Sequence, residues 1–87
     1  MPYRVELAPA AQRDLRRLPR DIQVRVVTPI QALSENPRPT GVRKLRGEER
    51  TWRIRVGPYR VVNDIHEDRA LVVILKIARR SETTYRR

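Results

Sequence analysis

The chain predicts an α+β fold: a small β-α-α-β-β-β domain whose largely antiparallel sheet carries two N-terminal helices packed on one face. Three observations support this. Apolar residues recur at helical spacing between residues 8 and 33, two alternating segments meet at Gly57-Pro58, and a nearly continuous apolar run, ALVVILKI, fills 70–77. One strand, two helices and then successive strands is an α+β order. With 87 residues, 39% of them hydrophobic, the chain suits one domain, residues 1–87, with one modest core.

PYRVEL (2–7) alternates Tyr3, Val5 and Leu7 with Arg4 and Glu6, a short strand with one apolar face. Ala8-Pro9 opens a helix at a position where proline is tolerated. Ala8, Ala11, Leu15 and Leu18 form its stripe, and Leu18-Pro19 stops it. A second helix runs from about Asp21 to Leu33 on Ile22, Val26, Ile30 and Leu33; Pro29 should kink or shorten it. ENPRPTG (35–41) connects to VRKLRG (42–47), a candidate short strand. Residues 51–56 and 59–65 form a hairpin, and 70–77 reads as a strand buried on both faces.

Charge narrows the partners. There are 20 Lys+Arg against 10 Asp+Glu, a formal net charge of +10. From Val42 onward 13 basic and 6 acidic residues leave +7, so the positive field lies mostly in the C-terminal half. Such a field attracts nucleic acid, an anionic membrane surface or an acidic protein. A membrane role fits poorly, because the arginines fall on strand positions and no apolar run is long enough to span a bilayer. No signal peptide is recognisable, which favours the cytoplasm. Cysteine is absent, so disulfides and thiol chemistry are excluded.

The densest feature is TWRIRVGPYR (51–60). If Gly57-Pro58 is a two-residue loop, Val56 faces Tyr59, Ile54 faces Val61, and Arg55 lies opposite Arg60. Trp52, Ile54, Val56, Tyr59 and Val61 then share the face under the helices, and Arg53, Arg55 and Arg60 share the other. Like charges directly opposite one another destabilise a sheet by up to about 1 kcal/mol. The last strand returns antiparallel, so Arg79, Arg80 and Tyr85 should emerge near Arg60. A polyanion is the natural partner.

The residues A-x-R-D-L-R-R-L-P in the first helix, K-L-R-G at 44–47, W-R-I-R-V-G-P-Y-R-V-V at 52–62 and A-R-R-S-E-T-T-Y at the end resemble the RelE toxins of toxin–antitoxin pairs; ParE-type toxins share the fold and much of the pattern. The resemblance implies a ribosome-dependent endoribonuclease that cuts mRNA, is silenced by a cognate RelB-like antitoxin in a toxin–antitoxin hetero-oligomer, and uses no cofactor or metal. It also implies roles. Arg53 and Arg55 hold the scissile phosphate, Arg60 of G-x-Y-R is a phosphate ligand, Arg79 or Arg80 is the arginine beyond the last strand, and Tyr85 orients the nucleotide. Lys44 and Arg46 of KLRG are expected RNA contacts. Asn63 stands where relatives often carry an aromatic residue.

Metal-free cleavage requires deprotonating a ribose 2′-OH, stabilising the phosphorane and protonating the leaving oxygen. Guanidiniums serve the second need, since their planar forks meet phosphate oxygens bidentately. They cannot serve the first, being permanently protonated. Tyr85, Lys44 and ribosomal groups remain as bases, with Tyr85 favoured as an orienting residue. His66, the lone histidine, reads as a solvated turn residue, as do Asp64, Glu67 and Asp68 around it. Two other readings stay open: a ParE-like toxin that inhibits DNA gyrase by binding, and a non-catalytic basic module that binds RNA or ribosomes.

Overall fold

The structure, a computed structural model, describes residues 2–79. Strand β1 (Arg4–Leu7) leads into helices α1 (Pro9–Arg17) and α2 (Arg20–Ala32). Strands β2 (Arg43–Lys44), β3 (Thr51–Val56), β4 (Tyr59–His66) and β5 (Leu71–Arg79) follow, with one 3₁₀ turn (Glu67–Arg69) before β5. They build one five-stranded sheet in the order β1-β5-β4-β3-β2. Every pairing is antiparallel except β1 with β5, which is parallel, so the sheet is mixed.

Proline marks both ends of α1 and the start of α2. Pro9 occupies the first turn of α1, and Leu18, held extended before Pro19, ends it. Pro29 does not shorten α2, which continues to Ala32. Arg25 is exposed, so water can take the carbonyl that a residue at position 29 would otherwise have bonded.

The helices lie on one face of the sheet. Ala11, Val26, Ile30 and Leu33 pack there against Ile54, Val61, Val72 and Ile74, with Trp52 and Val56 at the margin. Coverage on one side explains a departure from the expected β5. Leu71, Val72, Ile74 and Ile77 are buried, but Val73 and Leu75 are only half-buried. A bulge also interrupts this strand: Val62 pairs with Lys76 while Asn63 pairs with Ile74, leaving Leu75 as the extra residue.

β1 leaves its partner once the Ala8 N–H has donated to the Ile74 carbonyl at 2.8 Å. The edge of β5 beyond that point is completed by a side chain. Asp14 of α1, 8% exposed, accepts the Ile77 N–H on Oδ2 at 3.0 Å and the Lys76 ammonium on Oδ1 at 3.3 Å. Asp14→Asn keeps an oxygen acceptor for Ile77 and loses the charge that attracts Lys76. It should cost about 0.5–1 kcal/mol, read as a fall in melting temperature without loss of cooperativity.

The opposite end of the sheet is tied by Tyr3, Arg38 and Glu67. The Tyr3 hydroxyl donates to Glu67 Oε1 at 2.7 Å, and Arg38 bonds Oε2 of the same carboxylate. Tyr3's hydrogen bond, then Arg38's, holds the Glu67 carboxyl below its ordinary range; the bond to Glu67 raises the Tyr3 phenol. Arg38 also lies over the Trp52 ring, 5.0 Å from its centroid.

Candidate nucleic-acid interface

The β3–β4 hairpin has the register that alternation implies: Val56↔Tyr59, Arg55↔Arg60, Ile54↔Val61, Arg53↔Val62 and Thr51↔Asp64. Gly57 adopts the positive φ of 57° that its two-residue loop demands. With Ile54, Tyr59 and Val61 committed to the helix-side core, the alternate positions Arg53, Arg55 and Arg60 belong to the open face.

β2 extends this face. Arg43 is the register partner of Arg53, so a guanidinium enters from a third strand that sequence reading did not single out. The four arginines fall into two cross-strand rows, Arg43–Arg53–Val62 and Arg55–Arg60–Ala78. Val62 is 2% exposed yet lies outside the helix-side core cluster; it supplies an apolar base between the charged groups. Arg55 and Arg60 form no ion pair with a described carboxylate. Arg60 Nε is buried with no acceptor among the described residues. A desolvated N–H lacking a partner costs about 1–3 kcal/mol, and an arriving phosphate oxygen would satisfy it.

Other expected site residues are placed apart. Lys44 pairs with Trp52 and stands over its ring, 6.0 Å from the centroid, on the side of the sheet opposite the arginine rows. Arg46 is exposed in the turn after β2. Arg79 pairs with Tyr59 and lies 5.8 Å from that ring's centroid, on the helix side of the sheet's end. Arg80 and Tyr85 lie outside the described residues. Trp52 packs at the margin of the core, as its alternation implied. His66 is the last residue of β4 rather than a loop residue, and its Nδ1 is 3.0 Å from Arg50 Nη1.

Beside the arginine rows, a cleft of about 630 Å³ follows the outer edge of β3. Pro29 of α2 and Leu33, which caps it, line the cleft together with Arg43, Ile54 and Arg55. β2 covers Trp52 and Arg53, and the Leu45 N–H donates to the Thr51 carbonyl at 2.9 Å, so beyond Arg53 that edge has no strand partner among the described residues. No described helix is long and apolar enough to cross a membrane. The arrangement can bind phosphates along a strand and stabilise added negative charge on one of them.

Residues 5–84 match the family described as the ParE toxin of the type II toxin–antitoxin system parDE. A Methanocaldococcus jannaschii protein assigned the name toxin RelE1 is 30% identical over 83 residues, 92% of each chain. Among solved structures, a chain of the toxin–antitoxin complex RelBE2 from Mycobacterium tuberculosis is 35% identical, with a TM-score of 0.81 over 92% of this chain and 100% of that one. A chain of the archaeal RelE–RelB complex from Pyrococcus horikoshii is 28% identical, with a TM-score of 0.82 over 95% of this chain and 100% of that one. A family match spanning nearly all the described residues, joined to relatives aligned almost end to end, shows that the chain belongs to the RelE/ParE superfamily of type II toxin–antitoxin toxins.

Proposed function

We propose that this toxin is a ribosome-dependent endoribonuclease that inhibits translation by cutting mRNA. The observation that carries this reading is the pair of arginine rows with its one buried, unpartnered guanidinium nitrogen. A protein that only needed solubility would not set Arg55 directly across from Arg60 on adjacent strands. An RNA phosphodiester removes that repulsion. As the 2′-oxygen attacks, the phosphorane gains a further negative charge, and fixed guanidiniums stabilise it more than they do the ground state.

In this mechanism Arg53, Arg55 and Arg60 hold the scissile phosphate, and Arg43 and Arg46 guide the flanking backbone. Arg80 and Tyr85 complete the site as the RelE resemblance implies, Tyr85 orienting the nucleotide; Arg79, set over Tyr59, lies on the other side of the sheet. The partner that silences the toxin is a RelB-like antitoxin: the similar chains from M. tuberculosis and P. horikoshii were solved in such complexes. An acidic segment covering a surface of net positive charge is consistent with that role.

The family match carries a ParE description, which favours a second reading, inhibition of DNA gyrase by binding. One experiment separates the two. Added to a translating extract, the protein should yield mRNA fragments cut within codons, while gyrase supercoils DNA normally. Replacing the ribose at the cut with 2′-deoxyribose should abolish that cut. Blocked supercoiling with intact mRNA establishes the gyrase reading instead, and efficient cutting of the deoxy substrate removes 2′-OH attack from the mechanism.

A further inference from the structure

The arginine rows leave one chemical requirement unmet: something must accept the proton of the 2′-OH. Asp64 lies on the same face. It follows Arg60 and Val62 at alternate positions along β4 and pairs with Thr51 of β3 and Val73 of β5. Arg53 is its diagonal neighbour on β3, a separation of about 7–8 Å between backbones that long side chains span easily. Asp64 is held in place. The hydroxyl of Thr51, a residue only 5% exposed, donates to Asp64 Oδ1 at 2.6 Å. That bond fixes the carboxylate plane and leaves Oδ2 outside it. Glu6, the other described carboxylate at a register position on this face, sits two strands away on β1 and is paired with Arg4 at 3.1 Å.

We propose that Asp64 is the general base of the cleavage reaction, oriented by Thr51. The assignment rests on the ribonuclease reading above. Asp64 Oδ2 takes the 2′-OH proton as O2′ forms its bond to phosphorus. The P–O5′ bond breaks, its electron pair leaves with O5′, and O5′ takes a proton from water. The hydroxide so formed recovers the proton from Asp64. The products are a 2′,3′-cyclic phosphate and a 5′-hydroxyl, with no net change in protonation. Arg53, Arg55 and Arg60 bind the phosphate that the reaction divides.

The charged groups on the face that holds Asp64 are Arg60 and His66 on β4, the latter with Arg50 beside its Nδ1, Arg53 and Arg55 on β3, Arg43 on β2, and Glu6 with Arg4 on β1; Lys76 of β5 gives its ammonium to Asp14 instead. Histidine is the type among them that changes charge near neutrality, so His66→Gln serves as the control.

The test is single-turnover cleavage of ribosome-bound mRNA between about pH 5.5 and about pH 8, a range above the ordinary carboxylate range. With a carboxylate base the wild-type rate is flat across this range. Asp64→Asn lowers it about 10²–10⁴-fold and makes it climb about tenfold per pH unit, because hydroxide must then act as base. Binding to ribosomes carrying the uncleavable 2′-deoxy mRNA stays within about threefold, and Thr51→Val lowers the rate with the profile still flat. His66→Gln leaves both rate and profile unchanged. A wild-type rate that itself climbs tenfold per unit, as a tyrosine base requires, overturns the assignment even if Asp64→Asn fails to fold. Retention of rate and profile in Asp64→Asn overturns it too, and both outcomes leave the ribonuclease reading intact. A wild-type protein that cuts no mRNA defeats that reading, and the base assignment falls with it.

Discussion

Arg60→Met is expected to lower ribosome-dependent mRNA cleavage by about 10²–10³-fold while leaving the protein at least as stable as the wild type. The activity loss follows from removing one donor set aimed at charge that develops in the transition state, an effect of this size where such donors are fixed and desolvated. The stability gain follows from the register. Arg55 faces Arg60 directly, and relieving that repulsion contributes a few tenths to about 1 kcal/mol. The buried Arg60 Nε, which lacks an acceptor, disappears as well. Methionine retains an unbranched apolar chain at this position, so lost charge is tested without deleting the stem. Arg60→Lys should recover only part of the activity, because an ammonium cannot reproduce the planar fork. Cleavage assays and thermal melting should therefore move in opposite directions. A variant that loses cooperative melting would mean that Arg60 supports the fold, and the open face would have been misassigned.

That register was legible in the sequence because two independent signals fixed it. Gly57-Pro58 allows only a short loop, and strict alternation on both sides of it fixes which residues share a face. Arg43 carried no comparable signal: β2 is two residues long, and two residues have no period. Its place depends on pairing with Arg53, a contact the chain makes only once folded. Arg79 was expected to emerge near Arg60, and it does reach that end of the sheet, but on Tyr59's side. The bulge at Leu75 is the reason. One extra residue between Ile74 and Ile77 inverts the alternation for everything after it, and ALVVILKIAR contains no glycine to mark the place. The parallel pairing of β1 with β5 was equally silent. It joins Arg4 to Leu71 across most of the chain, and neither segment's pattern names its partner.

Asn63→Leu should raise stability by about 2–3 kcal/mol, the largest gain expected of any single replacement considered. Asn63 is 0% exposed on β4, between Trp52 and Ile74, and neither its amide oxygen nor its amide nitrogen has a hydrogen-bond partner among the described residues. Burying a polar group without a partner costs about 1–3 kcal/mol, and here the acceptor and the donor are both stranded. Leucine branches at the same carbon, so it replaces the amide with two methyl groups of nearly the same outline and removes both penalties together. In a chain this small, each kcal/mol corresponds to about 4–8 °C in melting temperature. A rise of at least about 8 °C is therefore the expected reading. Asn63→Ala removes the same polar atoms but leaves a void, so it should gain nothing or lose. That order, leucine above asparagine and asparagine level with or above alanine, is what distinguishes polar mismatch from simple filling of space. The side chain belongs to the helix-side row, so mRNA cleavage by Asn63→Leu should match the wild type at the same temperature. A fall in melting temperature would show that the bulge beside Asn63 has no room for the added methyl volume. A rise accompanied by lost cleavage would show that the helix side and the arginine face are coupled through β4.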